Sequence, residues 1–123
     1  MFDWEAYLDV ADHLVNAVGG EAAERSAISR ASYACYGTAW GCVRSQRVPL
    51  TGKAIEHRLV WDWFREGLGR GPIHLRVGTN GYRLKTWRIR ADYSRPDFAG
   101  VSGLASQSLI LARRVLADLA ALP

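Results

Sequence analysis

The stretch that decides the fold class is "ERSAISRASYACYGTAW", which runs from Glu24 to Trp40. Of the seventeen residues from Ser26 to Cys42, twelve are Ala, Ser, Gly, Thr or Cys. Small side chains allow the axes of neighbouring helices to approach each other closely. A helix with small residues on two or more faces is best placed among several neighbours. We therefore predict that this segment is the central helix of a helical bundle.

Outward from this stretch, apolar residues recur at steps of three and four, which is the helical period. No segment alternates with period two for long enough to predict a strand. The glycine-rich segment "EGLGRGPIHLRVGTNG" is predicted to be a long loop, with Thr79 or Asn80 capping the helix after it. The pattern predicts a single all-α domain over 1–123, an up-and-down bundle of about five helices. The predicted helices cover about 3–18 (with Asp3 as N-cap), 21–45, 53–65, 81–93 and 102–122.

Length and composition limit the class of protein. A chain of 123 residues fits one domain, and its apolar fraction of 49% is ordinary for a globular protein. No apolar run approaches the roughly 20 residues needed to span a membrane. The N-terminus "MFDWEAYLDVADHL" is acidic and amphipathic, unlike a signal or transit peptide. We expect a cytoplasmic protein with no membrane partner.

The charge is unevenly distributed along the chain. Positions 1–43 carry six acids and two bases, a balance of −4, whereas positions 44–95 carry twelve bases and four acids, a balance of +8. A basic middle of this kind favours a polyanionic partner such as RNA, DNA or a nucleotide. The alternative is a solvated basic face balanced by an acidic protein or by the chain's own N-terminal half.

The two cysteines, Cys35 and Cys42, do not predict a disulfide or a metal site. Seven residues on a helix separate them by about 10 Å, too far for a disulfide bond. Two cysteines are also too few for a zinc site by themselves. We predict two core residues, no metal and no cofactor.

Arg30 lies on a mixed row of the central helix that looks half buried. A buried arginine needs a carboxylate, because an unpaired buried charge is very costly. Asp92 is the best candidate partner, and Tyr33 and Tyr93 would bring hydroxyls to the same region. One interpretation is an internal brace between the second and fourth helices. The other is a polar pocket that faces a ligand.

Three motifs in order resemble the HEPN domain (higher eukaryotes and prokaryotes nucleotide-binding). "RSAISRASYACYGTAW" is similar to the family's second-helix signature, "TGKAIEHRLVWDWF" to the third helix of many small prokaryotic members, and "LKTWRIRADY" to its "L…R…ADY" helix. Together with the final Ala/Leu-rich helix, the resemblance covers almost the whole chain. It implies a helical bundle that commonly forms a homodimer.

The resemblance also implies a relation to RNA. Many members are metal-independent ribonucleases of defence, toxin–antitoxin or RNA-processing systems, and some pair with a nucleotidyltransferase-like antitoxin. Their motif is Arg, a polar residue, three to five further residues and His. Here the matching segment is Arg88-Ile-Arg-Ala-Asp-Tyr93, so Tyr93 stands where His is expected. Tyrosine side chains, with a pKa near 10, are poor general bases at neutral pH.

We therefore predict an HEPN-like protein that binds RNA or a nucleotide and lacks the usual ribonuclease catalysis. One alternative is an active ribonuclease toxin that uses Arg88, Arg90 and Tyr93. Another is a non-enzymatic adaptor that docks a protein. His57 and His74 are weaker catalytic candidates. The residues predicted to bind the nucleic acid or nucleotide are Arg30, Arg44, Arg83, Lys85, Arg88, Arg90 and Asp92.

Overall fold

The computed structural model describes residues 2–51, 56–67, 70–94 and 100–122. In these segments the chain is all-helical, with five α-helices and no strands, which confirms the predicted bundle. The helices are α1 (Glu5–His13), α2 (Glu21–Ser45), α3 (Glu56–Glu66), α4 (Pro72–Tyr93) and α5 (Val101–Ala121).

The first helix ends in a π-helical turn, Leu14–Val18, that the sequence did not predict. The Gly19 amide donates to the Leu14 carbonyl at 2.9 Å, and Gly19 and Gly20 then follow with positive φ angles of 72° and 89°. Glycine adopts this backbone conformation without steric cost, so the pair ends the helix as predicted. At the other end, Asp3 Oδ1 accepts a hydrogen bond from the Glu5 amide at 3.0 Å.

The central position predicted for α2 is confirmed, because α2 packs against each of the other four helices. Ala27, Ala31 and Ala34 on this helix have no exposed surface. A further close approach is at Gly37, where a Cβ atom would overlap the Trp4 ring. The small residues therefore bring neighbouring helices and the N-terminal segment onto α2.

Cys35 joins α2 to α5 inside the core. Its thiol is fully buried and donates to the Ala112 carbonyl at 3.4 Å. Burial, and to a lesser extent the negative charge of Glu5, raises the pKa of the Cys35 thiol. Cys42 is half-buried, and burial raises its pKa as well. Both thiols are free, in agreement with the prediction that no disulfide joins them.

The start of α4 corrects the sequence prediction. We expected a loop up to Asn80, but the helix begins at Pro72. Proline is favourable in the first turn of a helix because the missing N–H has no helical partner there. Gly78 and Gly81 lie inside the helix, where a Cβ atom on Gly81 would overlap the ring of the buried Trp61. These glycines therefore allow α3 to approach α4 and are not turn residues.

The bounds of α2 match the prediction, and the ends of α3, α4 and α5 agree with it to within one residue. Helix α1 begins at Glu5, two residues after the predicted N-cap Asp3. The described part of α3 begins at Glu56, and the predicted residues 53–55 lie outside the described residues. Pro96, which we expected to close α4, also lies outside them. The described helix ends at Tyr93, and Ser94 has an extended backbone.

Candidate functional site

Side chains from three helices form one aromatic and cationic group, here called the α2–α3–α4 cluster: Tyr33, Tyr36, His57 and Arg88. Tyr33 and Tyr36 are three residues apart on α2 and so share a face. The His57 ring stacks on Tyr36 with centroids 3.6 Å apart and meets Tyr33 edge-on at 5.7 Å. All four residues are half-buried, so the cluster reaches solvent.

Arg88 is the main cation of the cluster. Its side chain is 12% exposed, its Nη1 lies 3.6 Å from Asp92 Oδ2, and its guanidinium carbon lies 5.1 Å from the Tyr33 ring centroid. Within the described segments, the buried Nε of Arg88 has no hydrogen-bond acceptor. Leaving a buried charged donor unsatisfied costs about 1–3 kcal/mol or more. An added hydrogen-bond acceptor, such as a ligand oxygen or a water molecule, would satisfy this donor.

His57 is neutral at physiological pH. Burial lowers its pKa to about 4, with smaller effects in the same direction from Arg88 and Lys85, while Glu56 acts in the opposite direction. A neutral imidazole presents one hydrogen-bond donor and one acceptor. The cluster therefore combines two tyrosine hydroxyls, an uncharged imidazole and one guanidinium.

Glu56 holds the start of α3 beneath the cluster. Its carboxylate is buried and accepts hydrogen bonds from Trp40 Nε1 at 3.1 Å and from the Thr51 amide. His57 follows Glu56 directly, so this anchoring fixes the position of the imidazole. Burial, and then the charges of Glu56 and Tyr33, raise the pKa of Tyr36 to about 12. Tyr36 therefore stays protonated and can donate a hydrogen bond.

Asp92 and Lys85 border the cluster on α4. Asp92 accepts a long hydrogen bond from Ser29 Oγ at 3.5 Å in addition to its contact with Arg88. Lys85 Nζ lies 5.7 Å from the Tyr82 ring centroid. Lys85, Arg88 and Asp92 follow one another at three- and four-residue steps and so share one face of α4.

The predicted brace between Arg30 and Asp92 is wrong. Arg30 is exposed, and its guanidinium carbon lies 5.0 Å from the Tyr7 ring centroid. Arg88 occupies the place next to Asp92 that we predicted for Arg30. The mixed row of α2 is half-buried at Tyr33 but reaches the surface at Arg30, so no buried charge needed a partner there.

The three residues predicted for catalysis do not all share one face of α4. Arg88 and Arg90 are two positions apart on one helix, so their side chains leave the axis about 200° apart. Arg90 is exposed, and Tyr93 is 72% exposed. Arg88 alone of these three belongs to the α2–α3–α4 cluster.

The other predicted binding residues lie elsewhere. Arg44 is exposed, sits 5.0 Å from the Trp40 ring centroid, and lines an apolar groove of about 740 Å³ beside Phe2 and Trp4. Arg83 lies on the opposite flank of α4, against α5. The predicted set is thus spread over several surfaces of the bundle.

Sequence reasoning undervalued Tyr36 and His57. The spacing of Tyr33, Tyr36 and Trp40 at steps of three and four was a readable signal of one aromatic row. The stacking of His57 on that row depends on how α3 packs against α2, which the sequence does not display.

No protein-family model, curated protein or solved structure matches this chain. Within the described residues, no helix is both long and apolar enough to cross a membrane. In those same segments, no three His, Cys, Asp or Glu side chains converge in a way that would hold a metal ion.

Proposed function

We propose that the protein binds RNA or a nucleotide through the α2–α3–α4 cluster, as a small HEPN-like protein without the usual ribonuclease catalysis. The observation that carries the proposal is the guanidinium of Arg88, which is largely buried beside the Tyr33 ring and whose Nε has no acceptor among the described residues. Its one ion-pair distance in the described chain, 3.6 Å to Asp92, is long for a strong charge-assisted hydrogen bond.

A phosphate would suit this environment. Arginine donates to phosphate in bidentate geometry, and such contacts gain strength where water is partly excluded. Tyr33 and Tyr36 add two hydroxyls, and Lys85 adds a second cation at the border. Aromatic rings beside a cation are also the arrangement on which unpaired bases stack.

The wider context of the proposal comes from the resemblance to HEPN domains. It includes a cytoplasmic homodimer that acts in a prokaryotic defence, toxin–antitoxin or RNA-processing system. A nucleotidyltransferase-like antitoxin or another effector protein is the proposed partner. The basic balance of +8 over positions 44–95 supports a polyanionic ligand.

The test is a fluorescence-anisotropy titration of a labelled single-stranded RNA with purified protein, repeated at several salt concentrations. We expect Arg88→Gln to weaken binding about tenfold, since a hydrogen bond to a charged group contributes about 1.5–3 kcal/mol. Arg58→Gln is the matched control, because Arg58 is 76% exposed on α3 and already contacts Asp62 at 3.5 Å. Circular dichroism establishes that both variants fold.

Two outcomes contradict the proposal. If neither RNA nor free nucleotides bind to the wild-type protein at low salt, the protein-docking alternative is favoured. If Arg88→Gln and Arg58→Gln weaken binding equally, the ligand uses net charge and not the cluster.

A ribonuclease is the second candidate, because neutral His57 lies close enough to Arg88 for the guanidinium to lower its pKa. A histidine can take a proton from a 2′-hydroxyl while an arginine stabilises charge on the phosphate. A general base works best, however, when its pKa is near the operating pH, and a pKa of about 4 makes His57 a weak base. The geometry therefore supports binding better than cleavage.

Incubation of labelled total RNA with the protein in metal-free buffer separates the two functions. We expect intact RNA. Cleavage that is lost in both His57→Gln and the Arg88→Ala/Arg90→Ala double variant would establish the ribonuclease instead. Cleavage that survives in both variants would point to a contaminating nuclease.

A further inference from the structure

A second basic site lies on the other flank of α4, in a shallow cleft against α5. The cleft has a volume of about 180 Å³ and is here called the α4–α5 cleft. Its lining residues are Arg83, Trp87, Gln107, Ile110, Leu111 and Arg114.

The two arginines of the cleft differ from their neighbours. Arg76 on α4 pairs with Asp118 at 3.1 Å, and Arg113 on α5 pairs with Asp12 at 2.9 Å. For Arg83 and Arg114, the described part of the chain offers no carboxylate within ion-pair distance. Two guanidinium groups that line one cleft and have no carboxylate partner give that cleft a positive potential. The cleft is therefore complementary to a negatively charged ligand.

The floor between these cations is apolar. Trp87 is half-buried and packs on the core, Leu111 is buried, and Ile110 is 52% exposed. The side-chain amide of Gln107 adds a donor and an acceptor at the rim. An apolar floor flanked by arginines matches a nucleotide unit, whose base has a flat apolar face and whose phosphates are anionic.

The size of the cleft distinguishes a free nucleotide from a polymer. Sites that enclose small molecules commonly measure about 300–1,000 Å³. A cleft of about 180 Å³ can cover only part of a nucleotide, so a free nucleotide would be held weakly. A strand gains affinity by contacting the protein at several such points.

The two basic sites lie on the same helix. Arg83 and Arg88 are five positions apart, which corresponds to about 7.5 Å of rise and about 140° of rotation around α4. A single nucleotide cannot contact both arginines across the helix, whereas an extended strand can.

We propose that the ligand is single-stranded RNA and that the α4–α5 cleft holds one of its nucleotides. Arg83 and Arg114 bind the flanking phosphates, and the base lies over Trp87 and Ile110. This inference rests on the proposed function, since it names the ligand class and adds a second contact to the α2–α3–α4 cluster.

The test compares Arg83→Ala/Arg114→Ala with Arg58→Ala/Arg113→Ala in anisotropy titrations with a labelled 12-nucleotide RNA. Both double variants remove two positive charges, but the control removes arginines that already have carboxylate partners. We expect the cleft variant to bind about tenfold or more weakly, and its salt slope to fall by about 1.4, since each lost phosphate contact contributes about 0.7 on a single strand. The control should keep the wild-type salt slope.

Two further measurements assign the contact and the ligand. Trp87→Phe identifies the indole N–H signal of Trp87 in a ¹⁵N spectrum, and that signal should shift when the oligonucleotide is added. Adenosine monophosphate should bind at least a hundredfold more weakly than the oligonucleotide. It should not change the chemical shift of the Trp87 indole N–H.

The outcomes separate this inference from the proposed function. Suppose that wild-type protein binds the oligonucleotide and that Arg88→Gln weakens this binding, but that the two double variants bind equally well. The inference about the α4–α5 cleft then fails, and the proposed function stands. If monophosphate binds as tightly as the oligonucleotide, the polymer is the wrong ligand class. If wild-type protein binds neither, both proposals fail.

Discussion

The two flanks of α4 carry arginines in opposite physical states. Toward α2 and α3, Arg88 is largely buried beside the Tyr33 ring and close to neutral His57. Toward α5, Arg83 and Arg114 are exposed and border a shallow cleft. A desolvated arginine has a fixed position and gives geometric selectivity, whereas solvated arginines contribute attraction that salt screens.

The difference in packing has its origin in glycine. On the α3-facing side, Gly78 and Gly81 let the backbone of α4 approach Trp61 closely. On the α5-facing side, the side chains of Trp87 and Ile110 line the shallow cleft between the two helices. Residues three or four positions apart share a side of a helix, so α4 can have a tight flank against α3, at Gly78 and Gly81, and an open flank toward α5, at the α4–α5 cleft.

The largest expected effect is a decrease in the free energy of unfolding in Gly81→Ala, which disrupts the packing of α4 against α3. The new Cβ would overlap the ring of Trp61, which is fully buried and cannot move aside freely. Overpacking of this kind costs about 1–3 kcal/mol, and the better helix propensity of alanine offsets about 1 kcal/mol of it, so we expect a net loss of up to about 2 kcal/mol. Urea unfolding gives the free energy of unfolding directly.

The matched control is Gly103→Ala on α5. A Cβ atom there meets nothing within 4 Å, so the variant should be more stable than wild type by up to about 1 kcal/mol. Equal stabilities for the two variants would show that α3 and α4 are not in close contact at Gly81.

The second largest effect is the pH dependence of stability, which tests whether His57 in the α2–α3–α4 cluster is shielded from water. Because the pKa of His57 is about 4 in the folded protein and about 6.5 when unfolded, the unfolded state binds more protons between these values. The contribution of neutral His57 to stability is complete above pH 6.5 and decreases as the pH falls toward 4. At a half-exposed ring, screening limits this contribution to about 1 kcal/mol.

The measurement is the free energy of unfolding at pH 7 and at pH 4.5 for wild type and for His57→Gln. The variant should lose less stability than wild type on acidification. An identical loss in both proteins would mean that His57 titrates as an exposed histidine does.

A third prediction uses His57 to report on Arg88. Arg88→Met keeps an apolar stem but removes the positive charge that lowers the pKa of His57. We expect the pKa of His57 to rise above about 4 and to stay below its ordinary value of 6.5, because burial is the larger cause of the shift. NMR titration of the imidazole protons gives the value, and an unchanged pKa would place the Arg88 charge away from His57.

The smallest effect is expected on the open flank, from Arg76→Ala. Its ion pair with Asp118 is exposed at the arginine, and exposed pairs contribute little and are screened by salt. The urea midpoint of the variant should equal that of wild type at 0.5 M NaCl. A clear loss at that salt concentration would show that the α4–α5 flank is more rigid than its exposure indicates.

Most of the fold could be read from the sequence because the helical period is strong. The length and central position of α2 followed from its small residues, and its observed bounds match the prediction. The first half of α4 could not be predicted, because glycine occurs both in turns and at close contacts between helices. The meaning of Gly78 and Gly81 depends on Trp61, fifteen or more positions away in the chain.

The candidate site was only partly readable. Lys85, Arg88 and Asp92 were all predicted to bind the ligand, and their spacing alone places them on one face of α4. Arg30 was expected to be half-buried because small residues on several faces of α2 place that helix centrally. The sequence does not show where the row that contains Arg30 leaves the core. The approach of His57 to Tyr36 depends on the packing of two helices.

The labelling rates of the Cys35 and Cys42 thiols can be used to measure local unfolding around α2. The thiolate is the reactive form, so a buried thiol with a raised pKa reacts with a disulfide reagent only after it becomes exposed. The labelling rate of Cys35 therefore measures the free energy needed to separate α2 from α5, where its thiol meets Ala112. Half-buried Cys42 on the same helix supplies the faster reference reaction. Ligand binding that tightens the bundle would then be detected as slower labelling of Cys35, with no added probe.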